Sequence, residues 1–195
     1  MPPKSKFTRD EVSAAAFEIV RKEGIKALSA RRLASELGSS PRPVFTVFES
    51  MDELQAEVVF SAKKLYSEYI REGLKHIPAF KGVGEAYIKF ASEQPKLFHL
   101  LFMSERSNIP DKDSVLALID ENYEPILKSI EDGYGLDRNT SKRIYIHLWI
   151  YSHGIATLIA TDMCSFTADE VSDMLKDVFV GILKKIIAEE KNDNC

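Results

Sequence analysis

The chain has 195 residues, 45% of them apolar and 29% charged, with a formal net charge of −4. That balance excludes a disordered chain and supplies a sizeable core, since a domain of this length buries roughly 70% of the surface its unfolded form exposes. Mild acidity by itself argues against nucleic acid as a partner, but the charge is unevenly spread. Through Arg42, nine basic residues (Lys4, Lys6, Arg9, Arg21, Lys22, Lys26, Arg31, Arg32, Arg42) stand against five acidic ones, so the opening segment is +4 and the rest −8. The pattern is a basic head on an acidic body.

Helix starts are well marked along the chain. "TRDE" (Thr8–Glu11), "SMDE" (Ser50–Glu53) and "TADE" (Thr167–Glu170) each fit the capping box, in which a hydroxyl and a Glu satisfy reciprocal backbone donors. After Thr8 runs the stripe Val12, Ala16, Ile19, Val20, closed by Gly24. "LSARRLASELG" predicts a short second helix capped by Ser29, burying Ala30, Leu33, Ala34 and Leu37, and stopped by Gly38. From Ser50 a long helix carries Leu54, Val58, Ala62, Leu65 and Tyr69 as far as Gly73. Further helices are predicted near 80–93, 95–104, 112–133, 138–161 and 168–190, separated by "HIPAF", "EQP", "SNIPDKD" and "GYGLD". Pro125 is expected to kink or split the helix that contains it. With no alternating strand, the fold class is all-α.

"LGSSPRPVFTVFES" (residues 37–50) places two prolines one residue apart. In a first helical turn proline loses no hydrogen bond, so the segment reads as a second short helix over about 40–48, capped by Ser40. Pro43 disfavours helical geometry at Arg42 and tightens that turn; Val44 and Phe48 face inward. A short helix, a glycine-containing turn and a second short helix give helix-turn-helix spacing. In that motif the start of the second helix meets base edges in the major groove of DNA. The exposed candidates are Ser39, Ser40, Pro41, Arg42 and Pro43, with Thr46 one turn on. Arg42 is the candidate base reader, because a guanidinium can pair with O6 and N7 of guanine.

Residues 8–54, through "AAFEIVRKEGIKALSARRLASELGSSPRPVFTVFESMDEL", resemble the TetR family of bacterial transcriptional regulators. The resemblance implies a DNA-binding head over 1–50 and a ligand-sensing, dimerising helical body over 51–191. It also implies a ligand-released repressor that binds a pseudo-palindromic operator as a homodimer. By position, Ser29 would hold a phosphate, and Ser40 and Arg42 would lie in the recognition helix. Phe45 stands where a tyrosine usually offers its hydroxyl, and Met51 where a lysine usually contacts phosphate. Arg31, Arg32, Lys4 and Lys6 are expected to compensate through salt-sensitive contacts.

"IYIHLWIYSHGIATLIAT" (144–161) has no charged residue, but its histidines, serine and threonines favour a buried helix over a membrane span. The family resemblance makes the last two helices the dimer seam, with Gly154, Leu158, Phe179 and Leu183 in it, and "LWIYSHG" is similar to a Trp-His-Gly signature of one subgroup. Phe98, Phe102, Tyr123, His147 and Tyr151 are expected to include members of a small-molecule pocket, which is mostly apolar with a few polar groups.

No catalytic or metal motif is present: "GVGEAY" (82–87) lacks the third glycine and the strand of a dinucleotide fingerprint. No cofactor is expected. Cys164 and Cys195 form no C-x-x-C, and "MPPKSKFTRDEV" is no secretory leader, so a reducing, cytoplasmic setting is expected. The competing reading is a helical adaptor that binds protein partners and no specific DNA site.

Overall fold

The computed structural model describes residues 6–105, 109–112 and 114–193; Lys4 and Cys195 lie outside them. Among the described residues every regular element is helical. The order is α1 (Arg9–Glu23), α2 (Ala30–Glu36), α3 (Met51–Gly73), α4 (Ala79–Glu93), α5 (Pro95–Phe102), α6 (Val115–Ile119), α7 (Tyr123–Tyr134), α8 (Arg138–Ala160) and α9 (Ala168–Asp193), with single 3₁₀ turns at Ile25–Ala27 and Val44–Thr46.

The caps formed as the sequence directs, with one exception. Thr8 accepts from the Glu11 N–H at 3.2 Å, while the Glu11 carboxylate returns to the Thr8 N–H at 2.8 Å. Thr167 and Glu170 repeat the box at α9, and those backbone and hydroxyl donors hold the Glu170 carboxyl below its usual range. At α3 only half the box exists. Ser50 accepts from the Glu53 N–H, but the Glu53 carboxylate goes instead to the Glu49 N–H at 2.6 Å and to Arg9.

The chain forms two compact units. The first is Met1–Tyr66 with Gln94–Glu105 and the second Ser67–Glu93 with Arg106–Cys195. The division between these units falls inside α3, and α5 joins the first unit because its apolar residues Leu97 and Phe98 are fully buried there and it packs on α1. The first core gathers Val12, Ala16, Ile19 and Val20 of α1, Leu33 and Ala34 of α2, and Leu54, Val58, Ala62 and Tyr66 of α3. In the second unit α4 packs against α7, α8 and α9, burying Phe80, Val83, Tyr87, Ile88 and Phe90. Where α3 ends, the backbone comes so close to α4 that a Cβ on Gly73 would meet the Gly82 carbonyl at 2.5 Å. A Cβ on Gly82 would collide with the Gly73 carbonyl in turn, so each position excludes a side chain.

The single helix expected over 112–133 is two. Between α6 and α7 the Asp120 carboxylate accepts from the Asn122 N–H at 2.8 Å and its amide at 3.0 Å, a local alternative to helical bonding. Pro125 then sits in the first turn of α7, where its missing donor costs little.

Candidate nucleic-acid interface

Ser29 caps α2, accepting from the Arg32 N–H at 3.2 Å. The two arginines beyond it have different fates. Arg32 is gripped from both sides, by Glu23 at 2.7 Å and Glu36 at 2.8 Å. The carboxylates push its pKa further up and leave little of the guanidinium for another anion. Arg31 is exposed, with no ion pair or side-chain hydrogen bond among the described residues.

Helix α2 closes in a Schellman arrangement: the Ser39 N–H reaches the Ala34 carbonyl at 2.9 Å and the Gly38 N–H the Ser35 carbonyl at 3.2 Å. Gly38 takes φ +59°, the left-handed geometry this reversal requires. Ser39 is steadied from outside, accepting from Lys6 Nζ at 3.1 Å.

The helix expected over 40–48 does not form. Residues 41–43 make a tight turn and Val44–Thr46 a single 3₁₀ turn, held by Val44 N–H to Pro41 O (3.1 Å) and Thr46 N–H to Pro43 O (3.3 Å). The cause is in the sequence. Pro43 has no N–H and displaces Arg42 from helical geometry, so i→i+3 closure replaces the helical ladder. The facing pattern is kept: Val44 and Phe48 are buried, while Ser40, Pro41, Arg42, Phe45 and Thr46 are exposed and Pro43 is half-buried. Thr46 donates its hydroxyl to the Pro43 carbonyl at 2.6 Å. Arg42 is solvent-facing with no side-chain partner among the described residues, and its two flanking prolines stiffen the backbone that carries it.

The expected effector residues fall in different units. In the first, Phe98 is fully buried and packs on Phe102 (5.3 Å), which meets Tyr66 edge-on (5.0 Å). In the second, Tyr123 stacks on Tyr145 at 5.8 Å. His147 is exposed and Tyr151 half-buried. The inward face of α8 is instead Tyr145, Leu148, Ser152 and Ile155, with Trp149 and His153 half-buried beside it.

Sequence reasoning missed the polar chain on that face. Tyr87 of α4 lies 2.8 Å from His153 Nδ1, and the indole of Trp149 stacks on the imidazole at 5.3 Å. Burial drives the Tyr87 phenol far above its ordinary value, a hydrogen bond from Trp149 opposing it. Asp120, buried, adds a negative field at Tyr87 and Tyr145. A helical face at i, i+3, i+4 from Tyr145 was the available signal.

Burial lowers the His153 pKa. Folding therefore disfavours the imidazolium. The neutral ring's contribution is complete above the unfolded value near 6.5 and is lost as pH falls from there to the lowered folded value. Thermal unfolding followed from pH 8 to 5 should show a stability decline beginning near pH 6.5, flattened in His153→Leu.

The outer face of α8 carries Ile150 (56% exposed), His147 and Gly154, with Leu158 half-buried. On α9, Phe179 packs on Tyr134 (4.6 Å) and Phe80 (6.2 Å), and Leu183 is half-buried. No helix among the described residues is long and apolar enough to cross a membrane.

Helix α2, the Gly38 reversal and the 3₁₀ turn at Val44–Thr46 keep the spacing of a helix-turn-helix reader, with the second helix reduced to a single turn. The family model for the Tetracyclin repressor-like C-terminal domain matches residues 80–180, and the chain belongs to the TetR family of DNA-binding transcriptional regulators, which are not enzymes. A TetR-like transcriptional regulator from Rhodococcus sp. RHA1 shares the fold, with a TM-score of 0.64 and 16% identity over 90% of this chain and 94% of that one. No curated protein matches the sequence.

Proposed function

We propose that the protein is a ligand-responsive repressor that binds a pseudo-palindromic operator as a homodimer and is released by a small molecule. The observation that carries the DNA reading is Arg42: an exposed guanidinium, without a partner among the described residues, in a proline-stiffened turn where the motif meets base edges. Ser29, Arg31, Lys6 and the hydroxyls of Ser39, Ser40 and Thr46 supply phosphate contacts around it, and Arg32 chiefly braces α2. Dimerisation uses the exposed strip of α8 with Gly154, Leu158 and the neighbouring Leu183 of α9. The effector is taken in the second unit near Tyr123, Tyr145, Tyr87, Trp149 and His153, with Phe98 and Phe102 supporting the first. Ligand binding shifts α3 between two arrangements and alters the spacing of the two heads.

Fluorescence anisotropy on the gene's own upstream DNA, against scrambled DNA at two salt concentrations, tests this reading. Selective binding by a dimer is expected. Equal absence of binding to both sequences, unchanged in Arg42→Ala, would favour the protein-binding adaptor. Ile150→Glu is expected to convert the dimer to monomer in light scattering, because it sets a charge into the apolar strip.

A further inference from the structure

Between the reader turn and α3 the chain passes through four residues, Val47 to Ser50, and one ion pair holds the first three of them. Arg9, at the first position of α1, donates from Nη1 to the Val47 carbonyl at 3.2 Å and to Glu53 Oε1 at 2.7 Å. Its Nη2 lies 3.6 Å from Glu57, one turn further along α3, and its guanidinium sits over the Phe48 ring at 4.1 Å. Glu53 completes the loop with its other oxygen, which accepts from the Glu49 N–H at 2.6 Å. The carbonyl before Phe48 and the amide after it are thus gripped by the two members of one ion pair, while the ring between them is held from above by the same guanidinium.

We infer that Arg9 is a positioning residue that fixes the attitude of the reader turn relative to the start of α3, so that a movement of α3 is passed to Arg42. Arg9 and its carboxylate partners are substantially exposed, with side-chain exposures of 46%, 34% and 33%. Exposed pairs contribute little stability on their own, so the value of this arrangement lies in direction rather than in energy. Geometry agrees: a planar fork presents its donors in fixed directions to a carbonyl and two carboxylates and lays a flat face on a ring, whereas an ammonium is a point charge on a flexible stem. The Glu49 N–H, then Arg9, hold the Glu53 carboxyl below its usual range, so the loop is fully charged at neutral pH. The contrast is Arg32, equally doubly paired in the same unit, whose partners Glu23 and Glu36 lie outside the reader turn.

The consequence for DNA rests on the DNA-binding reading, but the geometry does not, and the test separates the two. Amide hydrogen exchange is measured on full-length wild type, Arg9→Ala, Arg9→Lys and Arg32→Ala without DNA, then affinity for the DNA that wild type binds. Arg9→Ala should speed exchange at Val47–Glu49 roughly tenfold or more while α1 and α2 keep their protection. Arg9→Lys should recover part of it, and Arg32→Ala should leave Val47–Glu49 as in wild type. DNA affinity of Arg9→Ala should fall about tenfold or more with Arg42 intact. Unchanged exchange at Val47–Glu49, or the same pattern in Arg9→Ala and Arg32→Ala, overturns the inference. Absence of DNA binding by wild type itself defeats only the functional reading, because the exchange data still decide the role of Arg9. If Arg9→Ala does not fold, Glu53→Gln opens the same loop and carries the same expectations.

Discussion

Arg42→Ala should weaken operator binding by about 1–3 kcal/mol per half-site, and a palindromic site read by two copies should lose that twice. The size comes from how the side chain is presented. Arg42 has no competing partner to surrender among the described residues. The 3₁₀ closure at Val44 and the prolines on either side also hold its backbone before DNA arrives. Little ordering remains at the moment of contact, so most of the bidentate interaction with guanine appears as affinity. Anisotropy titrations on operator variants distinguish the two roles open to it. A base reader loses selectivity at one base pair per half-site and leaves the salt slope unchanged. A phosphate contact loses affinity uniformly and lowers the slope by about 1. Arg42→Lys adds a third reading, because it keeps the charge and removes the fork.

Phe90→Ala should destabilise the second unit by about 3–5 kcal/mol, the cost of truncating a buried phenylalanine in a site that cannot fully collapse. Phe90 is fully buried in α4, the helix that touches α7, α8 and α9, and Tyr69 meets its ring edge-on at 5.3 Å. Tyr69 cannot readily move into the space, since its hydroxyl donates to Glu93 at 2.6 Å. Denaturant unfolding should show a lower midpoint. A loss under about 1 kcal/mol would mean that this part of the core repacks freely.

Much of the fold was legible because its signals are local. A hydroxyl three residues before a glutamate, or a glycine after an apolar stripe, acts within one turn, and Thr8, Thr167, Gly24 and Gly38 behaved accordingly. What failed depended on partners distant in sequence. Glu53 had a local role available at Ser50 and was drawn away by Glu49 and by Arg9, 44 residues earlier. Arg31 and Arg32 look alike in sequence, but Arg32 is occupied by Glu36, one turn along α2, and by Glu23 of α1. In α8, His147 and Tyr151 lie off the buried face that carries Tyr145 and Leu148, because a step of two residues turns a helical face through most of a half-circle. The reader segment was misjudged for a different reason. Its prolines were compatible with a helical first turn taken singly, but together they remove the donors and the geometry from which a helix would grow.

The contact between Trp149 and His153 has a practical side. The chain has one tryptophan, and its ring lies flat against an imidazole that is itself hydrogen-bonded to Tyr87. Indole emission is sensitive to an adjacent imidazole and to its protonation, so the unlabelled protein carries its own optical reporter inside the second unit. Any molecule that enters between these rings, or any displacement of α4 against α8, will change the colour or brightness of a single, assignable fluorophore.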